Sequence, residues 1–159
     1  MSYYSIDDQS FWDSVTPPKL EYLREAGSQS GFGVAALPLG DPVAGDPPLL
    51  VMLKFAPNGV LIRHAHHCHR IEILVQGTLT TPDGTILSPG AVMTSGPGMF
   101  YGPHVAGPEG AVTAELFSST YAKIDYVLDD VTAPPEAVEA MKKLAVQMDA
   151  AREQVGERA

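Results

Sequence analysis

The sequence predicts an all-β barrel or sandwich followed by one C-terminal helix, and three observations carry that expectation. Glycine (15) and proline (14) approach a fifth of the 159 residues, which favours a turn-rich β protein over a helical bundle. Short apolar runs of strand length recur between 49 and 118, separated by Gly, Pro and Asn turns, the spacing of a sandwich or barrel. After Pro134-Pro135 the apolar residues change to helical spacing. The length suits a single domain with a real core.

Each element has its own signal. Residues 1–48 form a lead-in punctuated by Pro17-Pro18, Gly40-Asp41-Pro42 and Gly45-Asp46-Pro47-Pro48. Within it, the segment PPKLEYLREAG reads as a short helix opened by proline or as an edge strand. The alternation of Leu20 and Tyr22 with Glu21 favours the strand. A second apolar stretch spans 32–39. The barrel is assigned to 49–128, with strands expected at 49–55, 60–66, 71–75, 77–81, 85–87, 91–94, 100–105 and 111–118. Turns fall at Pro57-Asn58-Gly59, Pro82-Asp83-Gly84, Ser88-Pro89-Gly90 and Gly107-Pro108-Glu109-Gly110. Residues 26–122 hold only nine charged side chains, so this is the buried unit. From 129 to 159 the chain reads as an amphipathic helix, started by Thr132 and Pro134-Pro135 with Glu136 in the first turn. Its stripe of Val138, Met141, Leu144, Ala145, Met148 and Val155 is expected to pack on the barrel or on a second subunit.

Charge narrows the partners. Ten basic against nineteen acidic residues give a net charge of −9, which argues against a phosphate-backbone partner. No stretch approaches the roughly 18 apolar residues of a membrane span. The N-terminus is polar and acidic, unlike a secretory signal, and Cys68 is the single cysteine, so a cytoplasmic protein without a disulfide framework is expected.

All five histidines lie between 64 and 104, four of them within six residues: His64, His66, His67 and His69. On a strand, positions i and i+2 share a face. His64 and His66 can therefore present two imidazoles to one cation, and imidazole suits iron, copper, nickel or zinc. His104 is the one histidine outside the cluster and the candidate third ligand. His67 points away from His66 and is expected at the surface, and Cys68 reads as an inert thiol in a loop.

The stretch Gly59-VLIR-His64-Ala-His66-HCH-Arg70-IEILVQ-Gly77 resembles the first motif of the cupins. Gly90-AVMTSG-Pro97-GMFYGP-His104 resembles the second, although it runs about three residues longer than the usual pattern. The resemblance covers about 49–118 and implies a double-stranded β-helix (jelly-roll) barrel with a metal inside. It carries family ligands to His64, His66 and His104. Arg70 stands where the family has its glutamate ligand, and the nearest carboxylate is Glu72.

Which face of 70–75 turns inward then decides the chemistry. With Arg70, Glu72 and Leu74 inside, Glu72 becomes the fourth ligand and Arg70 holds a substrate anion. With Ile71, Ile73 and Val75 inside, His69 is the reserve ligand and Arg70 and Glu72 form a surface pair. Apolar content favours the second arrangement, and the cupin register favours the first, which is adopted. Tyr101, three residues before His104, offers a phenol near the metal or an aromatic packed in the barrel.

The resemblance to three-histidine cupin dioxygenases implies a divalent transition metal, Fe(II) before Zn, Ni, Mn or Cu. It implies an Fe(II) dioxygenase acting on a small, partly hydrophobic organic molecule, with Arg70 and Tyr101 as catalytic candidates. The rivals are a metal-dependent lyase or isomerase, in which Glu72 or Tyr101 serves as acid or base, and a non-catalytic metal or ligand sensor. Met52, Phe55, Met93 and Phe100 are the expected apolar lining. A homodimer is expected from the apolar edge strands and the C-terminal stripe.

Overall fold

A computed structural model of the protein describes residues 2–127 and 135–156. Nine strands build two sheets. In chain order they are β1 (Phe32–Pro38), β2 (Leu49–Phe55), β3 (Val60–Leu61), β4 (His64–His66), β5 (Arg70–Thr80), β6 (Ile86–Leu87), β7 (Val92–Ser95), β8 (His104–Phe117) and β9 (Ile124–Tyr126). The larger sheet runs β1-β2-β8-β5-β6, with β3 added on β8 and β7 on β5, and the smaller pairs β4 with β9. Three helices accompany them: α1 (Gln9–Ser14), α2 (Glu21–Gln29) and α3 (Pro135–Gly156).

The spine is β8, which pairs along β5 and also meets β2 and β3. It corrects the sequence reading, which broke this stretch into two strands at 107–110. Gly110 absorbs the irregularity with φ of +77°, so the chain bulges there and keeps pairing. In the same way 71–75 and 77–81 fuse into the single strand β5, whose register slips at Leu74/Gln76 and Gly77/Leu79. The opposite happens at 60–66, which divides into β3 in one sheet and β4 in the other.

The lead-in segment PPKLEYLREAG is helical, contrary to the strand expectation: a short 3-10 turn at Pro18–Leu20 runs into α2. Leu20 is fully buried, with Leu23 and Ala26 following at three-residue intervals. That helical spacing prevails over the two-residue alternation because α2 packs on β1 and α3. The second stretch of the lead-in does form an edge strand, β1.

The core has three parts. Phe32, Val34, Leu53, Phe55, Leu61, Leu74 and Leu79 fill the barrel interior. Leu20, Leu49, Phe117 and Tyr121 form a second cluster with Ala151 of α3. On the outer face, Phe11 and Trp12 of α1 cover Ala35, Met52 and Val112. In α3, Met141, Met148 and Ala151 are buried and Val146 is exposed, so this part of the stripe packs on the chain's own α2 and β9. The proposed helix start at Thr132 and Pro134, and the side chains of Glu136 and Val155, lie outside what is described. Among the described residues no helix is long and apolar enough to cross a membrane.

Candidate functional site

The parity of β5 settles which face looks in. Arg70, Glu72 and Leu74 are 2%, 0% and 0% exposed, against 44%, 42% and 40% for Ile71, Ile73 and Val75. The inward face is thus the polar one. Its charges are compensated locally, as buried charges must be. Arg70 Nε donates to Glu115 Oε2 at 2.7 Å, and its Nη2 pairs with Glu72 Oε2. The guanidinium carbon lies 3.9 Å from the centre of the Tyr101 ring, a cation–π contact. Thr113 Oγ1 lies 3.4 Å from the other oxygen of Glu115 as its donor.

One cation facing two carboxylates leaves one charge too many. Burial, reinforced by the neighbouring Glu115 charge, pushes the Glu72 carboxyl up to about 8 despite Arg70. Glu72 therefore holds a proton at neutral pH, and its Oε1 is buried with no hydrogen-bond partner. Arg70 stays charged: burial opposes the charge, but Glu115, Tyr101 and Glu72 more than offset it.

The histidines divide as their positions require. His64 and His104 are buried, and His66 is half-buried. Their ring environments are shared: the His64 and His66 centroids are 5.1 Å apart, and Tyr101 lies 4.4 Å from His64 and 6.1 Å from His66. His64 Nδ1 donates to the Ile62 carbonyl at 2.7 Å, which leaves Nε2 as the free lone pair. Burial holds all three below the usual histidine range, His64 at about 4, and the Arg70 cation acts in the same direction. All three are neutral at pH 7, the form that ligates metal. His67 is exposed and pairs with Asp125 at 2.6 Å. His69 is exposed and so has no part in the interior. Cys68 is buried, in the loop after β4, where burial raises its thiol pKa.

The chemistry of this donor set fits a transition-metal cation at two positions. With metal–nitrogen bonds of about 2.0–2.1 Å, two imidazoles on one ion have ring centres roughly 4.5–5.2 Å apart, and His64 and His66 satisfy that. The four-ligand set expected from sequence is not assembled. Among the described residues, no three His, Cys, Asp or Glu side chains are gathered at metal-binding separation. Glu72 is engaged by Arg70, and the His104 ring meets Tyr101 at 6.0 Å, with its Nδ1 buried and unpartnered.

His64, His66, Glu115 and Tyr126 stand in the wall of a cavity of about 110 Å³ whose other lining is apolar. Phe32, Val34, Val51, Leu53, Leu61, Phe117 and Ile124 come from the strands, Leu23 from α2, and Met141 and Leu144 from α3. The expected lining is corrected. Met52 packs under α1, Phe55 and Met93 belong to the barrel packing, and Phe100 is exposed against Arg63. Glu115 and Tyr126 escaped the sequence reading. A lone carboxylate inside AVTAELF was the available signal for Glu115, whereas Tyr126 enters only because β9 pairs it with His64.

Comparison with solved structures places the architecture. The protein is similar to an uncharacterized conserved protein with a double-stranded β-helix domain from Klebsiella pneumoniae, at 18% identity and a TM-score of 0.50, covering 79% of this chain and 96% of that one. It is also similar to an RmlC-like cupin from Shewanella frigidimarina (22% identity, 56% and 77% covered, TM-score 0.47). A third is the polyketide cyclase RemF from Streptomyces resistomycificus (18% identity, 74% and 86% covered, TM-score 0.48). The fold is that of a double-stranded β-helix followed by a helix. No family profile and no curated protein matches the sequence.

Proposed function

We propose that the protein is a metal-dependent enzyme acting on a small, largely apolar organic molecule, and that its reaction is an iron-dependent dioxygenation. The observation that carries this reading is a pair of neutral imidazoles, His64 and His66, in the wall of an otherwise apolar cavity. Fe(II) bound there would supply open positions for activating an organic oxygen and dioxygen.

The chain's own residues supply the rest. The aliphatic and aromatic lining excludes water and binds the hydrocarbon part of the substrate. At about 110 Å³ the cavity is somewhat smaller than the roughly 150 Å³ apolar cavities that take benzene, which limits the substrate to a compact molecule. Glu115, ion-paired to Arg70, gives one wall a polar group facing the substrate.

A non-oxidative lyase or isomerase is favoured by one specific observation. The Glu72 carboxyl, buried against Arg70, is pushed up to about 8, and a carboxyl that keeps its proton at neutral pH suits acid–base work. Anaerobic loading with ferrous iron, followed by oxygen-uptake assays on diketones, catechol-like compounds and thiols, separates the readings. The dioxygenase predicts uptake with at least one class. Conversion of substrate without oxygen consumption, or none under either condition, contradicts it.

A further inference from the structure

Tyr101, offered by the sequence as a phenol near the metal or a packed aromatic, is tied to His64 through the backbone. Its backbone N–H and C=O exchange hydrogen bonds with His64 at 3.0 and 3.1 Å, an isolated antiparallel bridge. Residues bridged this way project their side chains on the same face. The rings of His64, His66 and Tyr101 accordingly close a triangle with sides of 5.1, 4.4 and 6.1 Å. The Tyr101 hydroxyl is buried and has no hydrogen-bond partner, an expensive condition unless something meets it. His104 lies on the far side of Tyr101, at 6.0 Å from its ring, and no ring contact joins it to His64 or His66 among the described residues. It pairs with Leu61 across β3 and β8.

We propose that the cation held by His64 and His66 takes its third donor from the phenolate oxygen of Tyr101 and not from His104. The inference rests on the metal reading above and specifies its ligand set. Coordination releases the phenol proton to solvent and forms one metal–oxygen bond, with no change of oxidation state. The Arg70 guanidinium over the face of the ring stabilises the negative phenolate electrostatically, which gives this arginine a purpose beside a metal. The resulting site combines two imidazoles and one phenolate, a set that suits ferric and cupric ions as well as ferrous.

Titrating the metal-free protein with Cu(II) tests the assignment, because cupric phenolate has a visible charge-transfer band that cupric imidazole lacks. The wild type is expected to bind one equivalent with that band. Tyr101→Phe should lose the band and bind copper at least tenfold more weakly. His104→Gln and His104→Ala should keep the band, with affinity within about threefold of wild type. A wild-type site that binds one equivalent without the band overturns the inference and leaves the metal reading standing. So does a band that persists in Tyr101→Phe or vanishes in both His104 variants while each binds one equivalent. No copper binding by the wild type overturns the metal reading, and this inference with it.

Discussion

At the scale of single residues, the centre of the account is Arg70 with its two carboxylates. Parity puts Arg70, Glu72 and Leu74 on one face, and the register of the resemblance, against the apolar content, chose that face as the inner one; a strand that buries Leu74 buries Glu72 and Arg70 with it. Their partner was not legible: Glu115 meets Arg70 only through the β5–β8 register, which no local pattern encodes. Removing the cation leaves the Glu115 charge buried and uncompensated. Arg70→Leu is therefore expected to cost about 3–5 kcal/mol, measured by urea unfolding at pH 7. The proton on Glu72 gives a second prediction. Between its ordinary value of 4.5 and about 8, folded Glu72 keeps a proton that the unfolded chain has released, so stability falls as pH rises. His64 acts oppositely: from about 4 to 6.5 the unfolded chain binds a proton that folded His64 refuses, so stability rises with pH. The fall is cleanest above pH 6.5. Metal-free protein should lose stability from there to pH 8, and Glu72→Gln should flatten that slope. An equal slope in both proteins contradicts the assignment.

At the scale of elements, the short strands were legible and their joins were not. The run 49–55 became β2 without change, since an apolar run of that length bounded by turn residues has few alternatives. By contrast 107–110 reads as a turn from its two glycines and proline, yet β8 is one strand because β5 pairs with it on both sides, at Ala106 and at Ala111, with 107–110 bulged out between them. β9 is three residues long and escaped notice. It nevertheless brings Tyr126 opposite His64. Gly77, the last residue of the first motif, has φ of +76°, and a Cβ there would lie 2.1 Å from the Gly110 carbonyl oxygen. Gly77→Ala is thus expected to cost about 2 kcal/mol or more, read as a fall in Tm of roughly 4–8 °C. On α3, Met141 is buried and lines the cavity. Met141→Ala should enlarge that space, costing about 2 kcal/mol while tightening the binding of a bulkier apolar probe, measured by calorimetry with a substituted benzene. Unchanged or weaker probe binding contradicts the placement of α3 over the cavity.

At the scale of the whole molecule, the fold and the polar interior carry different amounts of information. The barrel follows from turn spacing and apolar runs, and many chemistries share this architecture. What individualises this molecule is the buried Arg70–Glu72–Glu115 cluster beside a histidine pair, and the apolar chamber that α2 and α3 complete. The histidine pair was legible because its spacing matches the period of a strand. Tyr101 was named for its place three residues before His104, whereas Glu115 and Tyr126 were not legible, because strand pairing brings them in. The most direct test of the central claim is the transition-metal content of the purified, reloaded protein, by elemental analysis, for wild type, His64→Ala and His66→Ala. The account predicts about one equivalent in the wild type, with affinity reduced at least tenfold in each variant. A wild type that retains none after loading, or variants that bind as tightly as it does, would contradict it.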